Sequence, residues 1–158
     1  MPRIAVSGHR GLSEATARLI EQAIRDLLTN TTGTVVGLTC LADGADQIFA
    51  RVVLDHGGTI EAIIPATKYR QELPEAFHDE YDRLLSSASS VHALDFVESD
   101  SEAHMAASTH MLDQADELWA VWDGQPARGY GGTADVVSHA RQAGTPVHVI
   151  WPEGAQRD

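Results

Sequence analysis

The sequence predicts a Rossmann-like α/β fold, with one doubly wound, mainly parallel sheet in a single domain. Three observations carry this prediction. Strand-like and helix-like segments alternate along the whole chain, as right-handed crossovers between parallel strands require. The strand-like segments are continuously apolar instead of alternating, as expected where helices cover both faces of a sheet. The loops that leave several of them are rich in glycine and short polar residues, and in such sheets ligands sit outside the carboxyl ends of the strands.

Arg3 to Val6 reads as a short buried strand, ended by Ser7, Gly8, His9, Arg10 and Gly11. The next helix repeats Leu19, Ile20, Ala23, Ile24, Leu27 and Leu28 at intervals of three and four, with Ser13 as its N-cap. After a turn at Asn30 to Gly33, Thr34 to Leu38 supplies a second strand. The loop Leu41 to Asp46 opens a helix with an apolar face of Ile48, Phe49, Val52 and Val53, and Gly57 and Gly58 stop it. Thr59 to Ile64 is a third strand, closed by Pro65. A polar helix follows from Tyr69 to Leu85, with Pro74 near its beginning or at a break.

Val91 to Phe96 is a weaker fourth strand, and Glu102 to Gln114 has a helical pattern. Glu117 to Trp122 is a strong apolar strand that enters the glycine-rich loop Asp123 to Gly132. Thr133 to Ala143 is the helix after it. Gly144, Thr145 and Pro146 then turn the chain into a last strand, Val147 to Trp151. The domain is assigned to residues 1–152 and a short C-terminal tail to 153–158.

With 158 residues the chain is sized for one core. Its 43% hydrophobic and 22% charged residues are those of a globular protein, not of a disordered one. The net charge of -12 repels polyanions at long range, so nucleic acid is not expected as a partner. A small anion remains allowed, because backbone amides and one or two cations act at short range. The single cysteine, Cys40, forms no internal disulfide. No signal peptide or bilayer-length apolar run is evident, so the expectation is a cytoplasmic protein without a membrane partner.

The most informative stretch is Gly129, Tyr130, Gly131, Gly132 and Thr133, because it follows a buried strand and leads directly into a helix. Glycine amides there would face phosphate oxygens, the helix N-terminus would add positive potential, and Thr133 would cap the helix and donate its hydroxyl. An ordinary flexible loop is the competing reading. Ser7, Gly8, His9 and Arg10 form a second candidate, with Arg10 suited to phosphate. Alternatively, Arg10 pairs with a carboxylate and His9 is a solvent-facing turn residue.

At the second loop, capping explains Asp43, whereas Gly44 and Asp46 belong to the ligand site, Asp46 accepting from a ribose or a loop amide. Trp122 sits at the mouth of the glycine loop as a base-stacking candidate, with core packing as the alternative. Trp119 reads as core. The eight histidines form no metal signature, and no cofactor is implied. A serine-hydrolase elbow, a Walker A loop and a complete dinucleotide fingerprint are all absent from the sequence.

The order Ile4 to Arg10, Leu41 to Asp46, Ala115-Asp116 and Gly129 to Thr133 resembles the SLOG superfamily, over roughly Arg3 to Ile150. That group includes the cytokinin-activating phosphoribohydrolases often mislabelled as lysine decarboxylases, DNA processing protein A, molybdenum-cofactor carriers and stand-alone nucleotide-binding members. The first loop and the Gly44-Ala45-Asp46 segment look most like the stand-alone branch. In the phosphoribohydrolase pattern two acidic residues follow the glycine loop, and Asp135 stands where the first would be. The Arg-Lys pair of that branch is missing: Ala107 and Ser108 occupy those places. The resemblance therefore implies binding of a nucleotide or a nucleotide-derived, phosphate-bearing small molecule, and a homodimer. A nucleoside 5'-monophosphate N-ribohydrolase using Asp135 and a molybdenum-cofactor carrier are the alternatives.

Overall fold

Both faces of the central strands are buried, and this single fact sets the architecture of the computed structural model, which describes residues 1–157. The strands are β1 (Arg3–Gly8), β2 (Val36–Thr39), β3 (Thr59–Ala66), β4 (Ser90–Phe96), β5 (Glu117–Val121) and β6 (Val147–Ile150). All pair in parallel, in the order β4-β3-β2-β1-β5-β6. Helices α1 (Glu14–Thr29), α2 (Ala45–Asp55), α3 (Tyr69–Glu72), α4 (His78–Ser86), α5 (Ser101–Asp113) and α6 (Thr133–Gln142) connect them.

Residues of alternating parity serve two separate cores. Ile4, Val6, Trp119 and Val121 pack with Ile20, Ile24 and Phe49 of α1 and α2. Ala5, Leu118 and Ala120 pack instead with Ala107 and Met111 of α5 and Val136 and Val137 of α6. Continuously apolar strands are the result of this two-sided burial. Trp119 is core, as expected, and meets Phe49 edge-on at 5.8 Å. Room for that phenyl ring comes from Gly37, where a Cβ would lie 2.8 Å from Phe49 Cε2.

Ser13 caps α1 as its sequence suggests, its Oγ accepting the Thr16 amide at 3.2 Å. The long helix expected over Tyr69 to Leu85 is broken at Pro74, leaving the single turn α3, a 3₁₀ turn at Glu75–Phe77, and α4. Proline supplies no N–H and excludes the residue before it from helical geometry. β3 runs past Pro65 to Ala66, with a register shift between Ile64 and Ala66 that accommodates the missing donor. β4 is an edge strand and is mostly exposed.

From β1 the chain steps outward through β2 and β3 to β4, then returns to place β5 on the other side of β1. The strand order therefore reverses between β1 and β5. Gly8 pairs with Val121, so the two strands end level and open a crevice between the loops that follow them. Residues after β6 return across α1: Thr16 Oγ1 donates to the Gln156 carbonyl at 3.2 Å and accepts the Gln156 amide at 3.0 Å. The segment assigned as tail thus reaches the crevice.

Candidate functional site

The loop after β1 is locked to the loop after β2 by backbone contact. Gly44 has φ 88° and brings no side chain; a Cβ there would lie 2.6 Å from the His9 carbonyl oxygen. The Ala45 amide donates to that same oxygen at 3.3 Å. At Gly8, a Cβ would come within 2.4 Å of the Ala45 Cβ and 2.7 Å of the Val121 Cβ. These glycines therefore answer first to packing, which lets α2 start directly against the end of β1.

Asp43 does not cap α2, contrary to expectation. Gly44 is the N-cap, and the buried Asp43 carboxylate turns to the first loop, where it accepts Arg10 Nε at 2.8 Å and the Gly11 amide at 3.2 Å. A long-range ion pair has overridden the local capping preference. Arg10 accordingly has the carboxylate partner that the alternative reading gave it, while its side chain stays 43% exposed at the crevice.

His9 is not a solvent-facing turn residue; it is 3% exposed and stacks edge-on against Trp151. Its Nε2 lies 3.0 Å from the Asp123 amide and 3.2 Å from Asp123 Oδ1. The amide only donates, so Nε2 is the acceptor and the ring is neutral. Burial foremost, and then the charge of Arg157, lower its pKa. Burial works against ionisation of Asp123, but the Gln125 amide and the charge of Arg157 oppose it, and that carboxyl is held below its usual range.

The β5–α6 loop departs from the expected phosphate cradle. The Gly131 amide donates to Asp135 Oδ2 at 2.9 Å, and the Gly132 amide to the Gly129 carbonyl at 3.3 Å. Both amides are consumed internally. Asp135, in the first turn of α6, reaches back across the cap, much as the acidic residue of a capping box does. Its carboxylate serves the loop and does not line the crevice. Thr133 is the first helical residue and not the cap, which is Gly132. Among the described residues, the amides of Thr133 and Ala134 have no acceptor.

Trp122 is likewise not at the crevice. Its indole donates to the Gln125 carbonyl at 2.8 Å, and the Arg141 guanidinium lies 5.9 Å above the ring. Base stacking by this residue is replaced by packing on the α6 side of the sheet.

What the crevice does contain is a cleft of about 490 Å³ between the two loops and the returning C-terminal segment. Of the expected site residues, Ser7, Gly8, His9, Arg10, Gly129, Gly131, Gly132 and Thr133 come together there. Arg128 and Arg157 join Arg10, and among the described residues no carboxylate lines the cleft. Gly44 and Asp46 lie behind it. Asp46 belongs to a smaller cavity of about 100 Å³ that shares Ser7, Gly8, Arg10, His104 and Gly131 with the cleft. It accepts the Ala42 amide at 3.3 Å, and burial pushes its pKa to about 7, against the lowering influence of that amide and of Arg10.

Sequence reading missed Arg157, Gln156, Tyr69 and His104, which reach the site from the C-terminal segment, α3 and α5. No local motif marks them. No group of three or more His, Cys, Asp or Glu among the described residues could hold a metal ion.

No protein-family model and no curated protein sequence matches the chain. Solved structures do. DNA processing protein A from Streptococcus pneumoniae superposes with a TM-score of 0.69 at 20% identity, over 98% of this chain and 52% of that one. The Helicobacter pylori DNA processing protein A, solved for its single-stranded DNA binding mode, gives 0.66 at 15% identity over 99% and 68%. The molybdenum cofactor binding protein of Rippkaea orientalis gives 0.62 at 15% identity over 94% and 75%. The chain spans about half the length of the Streptococcus protein.

The chain has the Rossmann-like α/β fold of these proteins, which are of the kinds that the SLOG resemblance names. One expectation falls. Acidity does not exclude nucleic acid as a partner, since the Helicobacter protein, to which this chain is similar in fold, binds single-stranded DNA. Net charge is a far-field quantity, whereas a local cluster of arginines governs contacts within a Debye length. No helix of the described residues is long and apolar enough to cross a membrane.

Proposed function

We propose that the chain binds a nucleotide or a nucleotide-derived, phosphate-bearing small molecule in the cleft between β1 and β5. One observation carries this reading: a chain of net charge -12 lines this cleft with three arginines and, among the described residues, no carboxylate. Guanidinium groups suit phosphate oxygens through paired, charge-assisted hydrogen bonds. The amides of Thr133 and Ala134, which have no acceptor among the described residues, add the positive end of α6. The anion site is therefore built from side chains and the helix start, in place of the Gly131 and Gly132 amides.

Thermal unfolding with a panel of nucleoside 5'-monophosphates and their parent nucleosides tests the reading. A ligand at a hundred times its Kd stabilises the fold by about 2.7 kcal/mol, so monophosphates should raise Tm and nucleosides should not. Arg157→Ala should weaken the response by roughly ten- to a hundredfold in affinity, as for loss of a charged hydrogen bond. Absence of any response to phosphate-bearing compounds at millimolar concentration overturns it. Release of free base and ribose 5-phosphate during the assay would instead favour the ribohydrolase alternative.

A further inference from the structure

Behind the cleft, the cavity of about 100 Å³ is bounded by the end of β1, the β2–α2 loop, Tyr69 at the start of α3 and the inner side of α5. Two of its polar side chains are almost wholly buried and lack a partner. Tyr69 is 3% exposed and Ser108 is 9% exposed, yet neither hydroxyl makes a hydrogen bond among the described residues. Neither oxygen is sealed off, since among the described residues no fully buried side-chain oxygen or nitrogen lacks a partner. Both hydroxyls therefore open onto the cavity. Buried polar groups normally find partners, and an unfilled pair facing one space marks a place for a polar guest.

The other polar side chains around this space are Ser7, Asp46 and His104, with Arg10 where the cavity meets the cleft. Asp46 presents a carboxyl, Ser7 a hydroxyl and His104 an imidazole whose Nε2 is 2.9 Å from Ser99 Oγ. Burial lowers the pKa of His104 and raises that of Tyr69, so both are neutral. The wall thus offers both donors and acceptors from hydroxyl, imidazole and carboxyl groups, and its one fixed charge, the Arg10 guanidinium, lies on the side shared with the cleft.

Size and position narrow the guest. The space exceeds the ~15 Å³ that one water requires and falls far below the roughly 300–1,000 Å³ of a whole-ligand pocket, so it takes only part of a molecule. It joins the arginine cleft through Ser7, Gly8 and Arg10, so the part that enters is the one bonded next to the phosphate. In a nucleoside 5'-phosphate that part is the ribose.

We infer that this inner cavity is the sugar subsite of the cleft, and that Asp46, Tyr69 and Ser108 recognise the hydroxyl groups of a pentose 5-phosphate moiety. This assignment rests on the proposed phosphate-binding role of the outer cleft. It joins Tyr69 and Ser108, which lie outside the glycine-rich loops, to the Asp46 carboxyl that the sequence marks for a ribose.

Isothermal titration of the full chain with inorganic phosphate, ribose 5-phosphate and 2-deoxyribose 5-phosphate tests it. The expected result is that ribose 5-phosphate binds on the order of tenfold more tightly than inorganic phosphate, as a few hydroxyl hydrogen bonds would give. The isosteric Tyr69→Phe and the small Ser108→Ala changes should each bring that ratio down severalfold, with Tm recorded to confirm folding. Equal affinities for phosphate and ribose 5-phosphate in the unaltered protein overturn the sugar subsite while leaving the phosphate cleft standing. A ratio that survives both substitutions also overturns it. If none of the three compounds binds, the cleft and the subsite fall together.

Discussion

Asp46 makes the stability of this protein depend on pH in a direction opposite to most carboxylates. Its pKa rises from 3.8 in the unfolded chain to about 7 in the fold, with burial as the main cause. Below pH 4 the group is neutral in both states and costs nothing. Between about pH 4 and 7 the unfolded chain has lost the proton and the folded chain keeps it, so stability falls by about 1.4 kcal/mol for each step of one in pH. Accumulated across that window, the loss comes to about 4 kcal/mol by pH 7 and then levels off. Asp46→Asn removes this titration. Urea unfolding of both proteins at several pH values isolates it, because the other titrating groups cancel in the difference. The variant should gain on the parent steadily from pH 4 to pH 7 and then run parallel to it. A difference that does not change with pH would refute the assigned environment of Asp46.

Three further outcomes follow from the contacts around the cleft. Gly8→Ala should destabilise the fold by about 1–3 kcal/mol or more, read by chemical denaturation, because the new methyl group meets Ala45 and Val121 inside van der Waals distance. Asp135→Ala should cost about 1 kcal/mol, like the loss of a helix cap, and should leave nucleotide affinity within a few-fold by titration. A collapse of affinity there would restore the carboxylate to the ligand site. Arg10→Ala should cost toward the low end of roughly 3–5 kcal/mol, since it strands the buried Asp43 carboxylate while the arginine itself is 43% exposed. Adding Asp43→Asn should recover part of that loss in the same denaturation assay.

The element order was legible in the amino-acid sequence because two-sided burial writes itself into the strands: Leu118 to Val121 is apolar at every position, each parity feeding a different core. Switch-point reasoning also brought Ser7 to Arg10 and Gly129 to Thr133 to one crevice. Roles within that crevice were less accessible, because they depend on partners distant in sequence. Asp43 looked like a cap by its local surroundings, yet its partner is Arg10, from the preceding loop. Trp122 stood at a loop mouth as a base-stacking candidate, yet its ring lies against Arg141 of α6. Glycine amides that sequence context left open were taken up by Gly129 and Asp135, a geometric outcome that composition does not encode.

The interlocking of Gly8, Gly44 and the His9 carbonyl has a bearing on how a guest is captured. One jaw of the crevice is an anvil: it is braced by main chain on main chain and has no slack to give up. Freedom is surrendered on capture mainly by long side chains such as Arg10 and Arg157, so little conformational entropy is forfeited and the contact surface is largely pre-shaped. Encounter should then be governed by diffusion and charge steering, with residence time set by the arginines and not by any refolding of the first loop.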